Sequence, residues 1–167
     1  KQDIVLIECK ITATDKTKFI FSGTYNNKLQ NQKSLLAEGF FFAESDTRGL
    51  KFLTPTNFLD LENFTDFLSD RRQNSIDKRV ERAENAGKQL TMDYLMTIHP
   101  IVTLSDGYML VGEAFYPTYH REERIVNGNR TYTTVFDGYQ YTHSVVVKFD
   151  VNGNRKMDQS LPFKIGY

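Results

Sequence analysis

Three zones follow one another along the chain. From residue 3 to about 54, short apolar blocks rich in Ile, Phe, Val and Thr occur at 4–11, 19–25, 39–43 and 50–53. Such blocks, alternating with polar positions, predict strands. The polar steps Asp15-Lys16 and Thr47-Arg48-Gly49 predict the turns between them. Between 57 and 90 the spacing lengthens. Leu61, Phe64 and Leu68, with Phe67 beside them, fall at helical intervals. After Asp70-Arg71-Arg72, a narrow stripe runs through Ile76, Val80, Ala83, Gly87 and Leu90. The period predicts two helices joined near 69–74, each with a solvated opposite face. From 94 onward strands return at 94–104, 108–115, 144–150 and 154–158. Ser105-Asp106-Gly107 and Asn152-Gly153 are strong turn signals there. A long polar and aromatic segment, 116–143, separates the second and third of these strands.

The two β zones match one another. ITATDKTKFIFSG at 11–23 parallels IVTLSDGYMLVG at 101–112, and GFFFAESDTRGLKFL at 39–53 parallels SVVVKFDVNGNRKM at 144–157. A four-strand unit therefore occurs twice, at an offset of roughly 90 to 105 residues lengthened by insertions. The units are 3–54 and 94–163, with a helical insert at 57–90 and a hairpin or loop insertion at 116–143. A repeated four-strand meander predicts β-propeller-like blades in a mainly β fold. The motifs LSDGYMLVG at 104–112, VVVKFDVNGN at 145–154 and VFDGYQYTH at 135–143 resemble blade repeats of uncharacterised secreted and cell-surface proteins of Gram-negative bacteria. Where that group often has an aromatic after the last turn, this chain has Met157. The resemblance covers the β parts and implies an extracytoplasmic location: periplasm, cell surface or secreted. Two blades are fewer than the four to eight of a closed ring. A fragment of a longer propeller, or one that joins other chains, is therefore expected. The alternatives are an α+β fold or a β-sandwich carrying the helices. The start at Lys1, without a signal-peptide pattern, fits a processed product or an excised piece.

In a meander of this order the short turns gather at one end and all the long connections at the other, so binding is expected at the elaborated end. The 116–143 insertion is its most distinctive part. It carries Tyr116, Tyr119, Tyr132, Phe136, Tyr139 and Tyr141, with Arg121, Arg124 and Arg130 interspersed and His120 and His143 near its two ends. Tyr and Arg together offer flat apolar surface with hydrogen-bonding edges, suited to a protein partner or a glycan. The plainer reading is a hairpin around Asn127-Gly128 whose rings pack on the helices.

Charge and composition narrow the classes. Lys and Arg total 21 and so do Asp and Glu, so no net positive field favours nucleic acid or an anionic membrane. The longest apolar runs are about four residues, too short to insert in a bilayer as a helix. The single Cys9 excludes an intrachain disulfide. His99, His120 and His143 match no local metal spacing, and the oxygens of Asp150, Asn152, Asn154 and Asp158 fit a hairpin turn better than a calcium loop. No P-loop, nucleophile elbow, HExxH or CxxC occurs, and no metal or cofactor is expected. Glu113, a carboxylate in an apolar strand, and Asp137 are the acid–base candidates for the competing reading, a glycan-active enzyme. A third reading is a subunit of an envelope or secretion assembly. The leading expectation is a non-catalytic binding or scaffold module whose ligand residues are Tyr116, Tyr119, His120, Arg121, Tyr132, Phe136, Tyr139, Tyr141 and His143.

Overall fold

A computed structural model describes residues 4–27, 35–127 and 129–163. The first zone folds as β1 (Val5–Ala13), β2 (Lys18–Asn26), β3 (Leu36–Ala37), β4 (Gly39–Asp46) and β5 (Gly49–Asn57). The third zone holds β6 (Tyr94–Ile98), β7 (Val102–Leu104), β8 (Gly107–Val126), β9 (Asn129–Asp150) and β10 (Arg155–Pro162). One sheet runs β1-β2-β4-β5 and the other β10-β9-β8-β6-β3, every neighbouring pair antiparallel, with β7 also on β8. The fold is mainly β, and the four-strand meander is present twice. The predicted strand at 94–104 is broken into β6 and β7 around Pro100, which has no N–H to give the ladder.

Alternation along β2 and β4 sends Ile20, Phe40 and Phe42 to one face of the first sheet. There they meet Met96, Ile98, Tyr108, Leu110, Val145, Val147 and Phe149 of the second in one buried cluster. Phe42 stacks on Phe149 at 4.7 Å and touches Tyr108 at 5.3 Å. The sheets stack with their strands in the same order. Glu8 of β1 accepts the Ile98 N–H of β6 at 3.2 Å, β4 lies over β8 and β9, and Phe52 of β5 covers Gly153 ahead of β10. At one corner Glu44 is buried between Lys18 and Lys51, each 2.8 Å away, and Lys18 also sits over the Tyr108 ring. Burial pushes the Glu44 carboxyl up, but the two ammonium groups outweigh it and hold it below the ordinary value.

Only one of the two predicted helices forms, α1 (Asp70–Asn85). Gly87, at φ 66°, ends it. The Lys88 N–H donates back to the Ala83 carbonyl and the Gly87 N–H to that of Glu84, so Gly87 stops the helix instead of extending its stripe. Upstream, the expected helix is a 3-10 turn at Phe58–Asp60, capped by Asn57, followed by single turns whose N–H groups reach back three residues. Distant partners capture this backbone. The Asp158 carboxylate of β10 accepts the N–H groups of Glu62 (3.1 Å) and Asn63 (2.7 Å), and Ser160 donates to the Phe64 carbonyl. Phe64, stacked on Phe58 at 4.9 Å, is thereby fixed in the core. The i, i+3 spacing of apolar residues that predicted a helix is met by these turns instead. The one turn of α1 that is buried, at Ile76, faces Leu59, Leu61 and Thr65 of this connection.

Candidate functional site

β8 and β9 run far beyond the rest of their sheet. β6 pairs with β8 only as far as Phe115, and β10 with β9 only as far back as His143, while β8 and β9 stay paired to Val126 and Asn129. The 116–143 insertion is therefore a two-stranded arm. Residues 116–126 of β8 and 129–142 of β9 extend beyond those pairings, roughly 36 Å along β8 at about 3.3 Å per residue. Asn127, at φ 51°, takes part in its tip.

Two irregularities decide which side chains share a face. The register shifts between Ala114 and Phe115 and again between Thr118 and Tyr119, each time leaving one extra residue on β9. As a result Phe115, Tyr119, Phe136, Tyr139 and Tyr141 lie together. Their rings form a chain: Tyr119–Phe136 at 5.6 Å, Phe136–Tyr139 at 5.1 Å, Tyr139–Phe115 at 5.1 Å, Phe115–Tyr141 at 5.7 Å. Phe163 extends it from Tyr141 at 6.5 Å. The rings pack on one another and not on α1, and Tyr119, Phe136 and Tyr139 are each about half exposed or more. Leu35, Leu95 and Pro117 join Phe115, Tyr119, Phe136 and Tyr139 around a shallow groove of about 310 Å³. Alternation places Arg121 and Tyr132 farther out on this face, both exposed, near the Arg130–Glu123 pair at 3.2 Å.

The remaining predicted residues lie elsewhere. Tyr116 is on the opposite, polar face, where its hydroxyl donates to Gln140 at 2.6 Å. His120 is on that face too, between Asp137, which it contacts through Nδ1, and Glu122, 3.5 Å from Nε2. The Asp137 hydrogen bond raises its pKa above the ordinary value. His143 is not at the surface. It is fully buried, stacked on Phe67 at 3.6 Å and edge-on to Phe64 and Tyr94. Its Nδ1 meets the Thr142 hydroxyl at 2.9 Å and its Nε2 has no hydrogen-bond partner. Burial alone lowers its pKa to about 4. His143 belongs to the core under the root of the arm, because the extra residue at Thr142 turns the strand's aromatic face outward just beyond it.

The two carboxylates proposed as an acid–base pair are not brought together. Glu113 pairs with His99 at 3.3 Å and Asp137 with His120, on opposite faces and about five residues apart along the ribbon. Asp158, grouped by sequence with the Asp150 turn, instead faces Glu62 and Asn63. Asp150 folds its own hairpin, accepting the N–H groups of Asn152 and Asn154 at 2.9 Å each. No cluster of three or more metal-ligating side chains occurs among the described residues. No helix of the described residues is long and apolar enough to cross a membrane. Phe115, Pro117, Leu95 and Phe163 were missed as site residues. The parity of β8 would have placed Phe115 and Pro117 beside Tyr119, but Leu95 and Phe163 arrive only through tertiary pairing. Compared with family models, curated proteins and solved structures, the chain matches none of them.

Proposed function

We propose that the chain is a non-catalytic binding module that captures a protein partner on the aromatic face of its β8–β9 arm. The observation that carries this reading is the ring series Tyr119–Phe136–Tyr139–Phe115–Tyr141 on one face of the ribbon, in which Tyr119, Phe136, Tyr139 and Tyr141 are exposed. Large aromatic side chains held rigid by one another lose little entropy on binding and bury much area, the usual composition of a binding hot spot. A protein is favoured over a glycan because the groove is lined by Leu, Pro and rings, whose only side-chain polar groups are tyrosine hydroxyls, whereas a sugar needs several fixed polar contacts. The acid–base reading loses support because Glu113 and Asp137 are separately paired.

The body that carries the arm is read as two propeller-type repeat units of an extracytoplasmic protein. The support is the repeated meander and the like-ordered stacking of its strands. The experiment is a binding screen of extracellular protein fragments and glycans against the wild-type chain and against Phe136→Ala and Tyr139→Ala. Each substitution is expected to weaken a genuine protein hit at least tenfold without lowering the melting temperature. Hits confined to glycans would replace the protein by a sugar, and hits indifferent to both substitutions would remove the arm as the binding surface.

A further inference from the structure

The repeat can be aligned on structure as well as on letters. Asp46 and Asp150 each end the third strand of their meander, and each accepts the backbone N–H two residues on, from Arg48 at 2.8 Å and from Asn152 at 2.9 Å. In the second strands, Gly23 and Gly112 both lie directly under a phenylalanine ring, Phe41 and Phe40 respectively. On this alignment Phe19 and Phe21 are the counterparts of Tyr108 and Leu110, and Phe41 and Ala43 those of Val145 and Val147. In the second sheet all four of these face the first sheet and are buried. In the first sheet they lie on the side turned away from the core. The converse also holds. Ile20 and Phe42, buried against the second sheet, correspond to Met109 and Val146 on its outer side.

The contact inside the chain is therefore head to tail. One face of the first unit covers the other face of the second, and among the described residues no strand of the partner sheet lies on the remaining face of either. On that face of the first sheet Tyr25, Phe41 and Ala43 are buried at the centre, while Ile11, Leu50 and Leu53 on the edge strands are exposed. This outward face of the first sheet is built like a buried one. Its strand positions, 9, 11 and 13 on β1, 19–25 in alternation on β2, 39–45 on β4 and 50, 53, 55 and 57 on β5, hold no charged residue. Ile11 is 64% exposed there, Leu50 61% and Leu53 43%. The buried run Phe40, Phe41 and Phe42 is apolar toward both sides, the pattern of a strand between two layers.

We propose that this face docks on the outer face of the second sheet of another copy of the chain, around Val111 and Val146, repeating between copies the contact seen within one. A heterologous contact of this kind closes into a ring or propagates, according to the rotation per step. The occupant is a second copy because that sheet face is the counterpart of the one already known to cover this type of surface. A net charge of zero adds no repulsion between copies. The inference rests on the repeat-unit reading and is independent of what the arm binds.

The test is the mass in solution of three proteins: wild type, Phe19→Lys with Leu53→Lys, and Val111→Lys with Val146→Lys. Wild type is expected to exceed the mass of one chain increasingly with concentration, and each double variant to stay at one chain. Mixed in equal amounts, the two variants are expected to give a two-chain complex, since each retains the face the other has lost. Ile11→Glu and Met157→Glu, at exposed positions on the same two faces, serve as replacements should a double variant not fold by near-ultraviolet circular dichroism. A wild type that remains a single chain throughout, or variants that do not combine, would overturn the proposal. So would self-association of a single variant, which marks pairing of like faces. The arm assay with Tyr139→Ala, run on the single-chain variants, reports on the binding reading separately.

Discussion

His143 shows how a residue read from sequence as a surface ligand becomes a stability element. Its imidazole is enclosed by Phe64, Phe67 and Tyr94, with Nε2 unpartnered. Its pKa falls from 6.5 to about 4 on folding. The unfolded chain therefore holds the proton more tightly, and stability is full above pH 6.5 and declines as pH falls toward 4. The loss approaches about 3 kcal/mol. His143→Phe, which keeps a flat ring and removes the buried nitrogens, is expected to flatten urea-unfolding stability between pH 6.5 and 4. An unchanged pH profile would show that the ring is not the group responsible. Glu44 acts in the same direction at lower pH. Its lysine partners hold it below 4.5 in the folded state, so its contribution is present above that value and lost beneath it. Asp158 adds the lesson that a residue's task can lie far along the chain, since its backbone partners are about 95 positions away. Nothing in the neighbourhood of residue 158 announces that role.

At the scale of elements the arm is the anomaly. Two-stranded ribbons are marginal in water unless one face is covered, and this one is held at its root by Phe115, Tyr141 and Phe163. Replacing residues 118–138 with Asn-Gly, between the paired positions Pro117 and Tyr139, is expected to leave the body folded with stability changed by less than about 1 kcal/mol. Thermal unfolding of the shortened chain measures this, and loss of a cooperative transition would make the arm part of the core. The arm itself was legible in the sequence, because six aromatics gather in 116–143 around the turn signal at 127–128. Their division between two faces was not. It depends on two extra residues on β9, and a single-residue shift moves every following side chain to the other side. The helices divide similarly. The 70–85 segment has a stripe and an acidic first turn and folds as a helix, but Gly87, read as part of the stripe that runs to Leu90, ends it. The 61–68 segment has the stripe alone, and Asp158 and Ser160 take its backbone into turns.

The whole molecule is two meanders sharing one core, with Phe42 at its centre between Phe52, Tyr108 and Phe149. Phe42→Ala is expected to cost about 3–5 kcal/mol. Because that side chain serves both sheets, far-ultraviolet dichroism and tyrosine fluorescence should still lose their signals at one denaturant midpoint. Two separated transitions would mean that the sheets fold independently. The mainly β class, the turn positions, the repeat and the aromatic arm were determined by the sequence itself, since period, turn chemistry and composition act over a few residues. Which of two apolar strand faces is buried, that His143 lies inside while Tyr139 lies outside, and that Glu113 and Asp137 stay apart were decided only by the tertiary structure. Those outcomes depend on register and on contacts between residues about a hundred positions apart, for which no local pattern carries a signal.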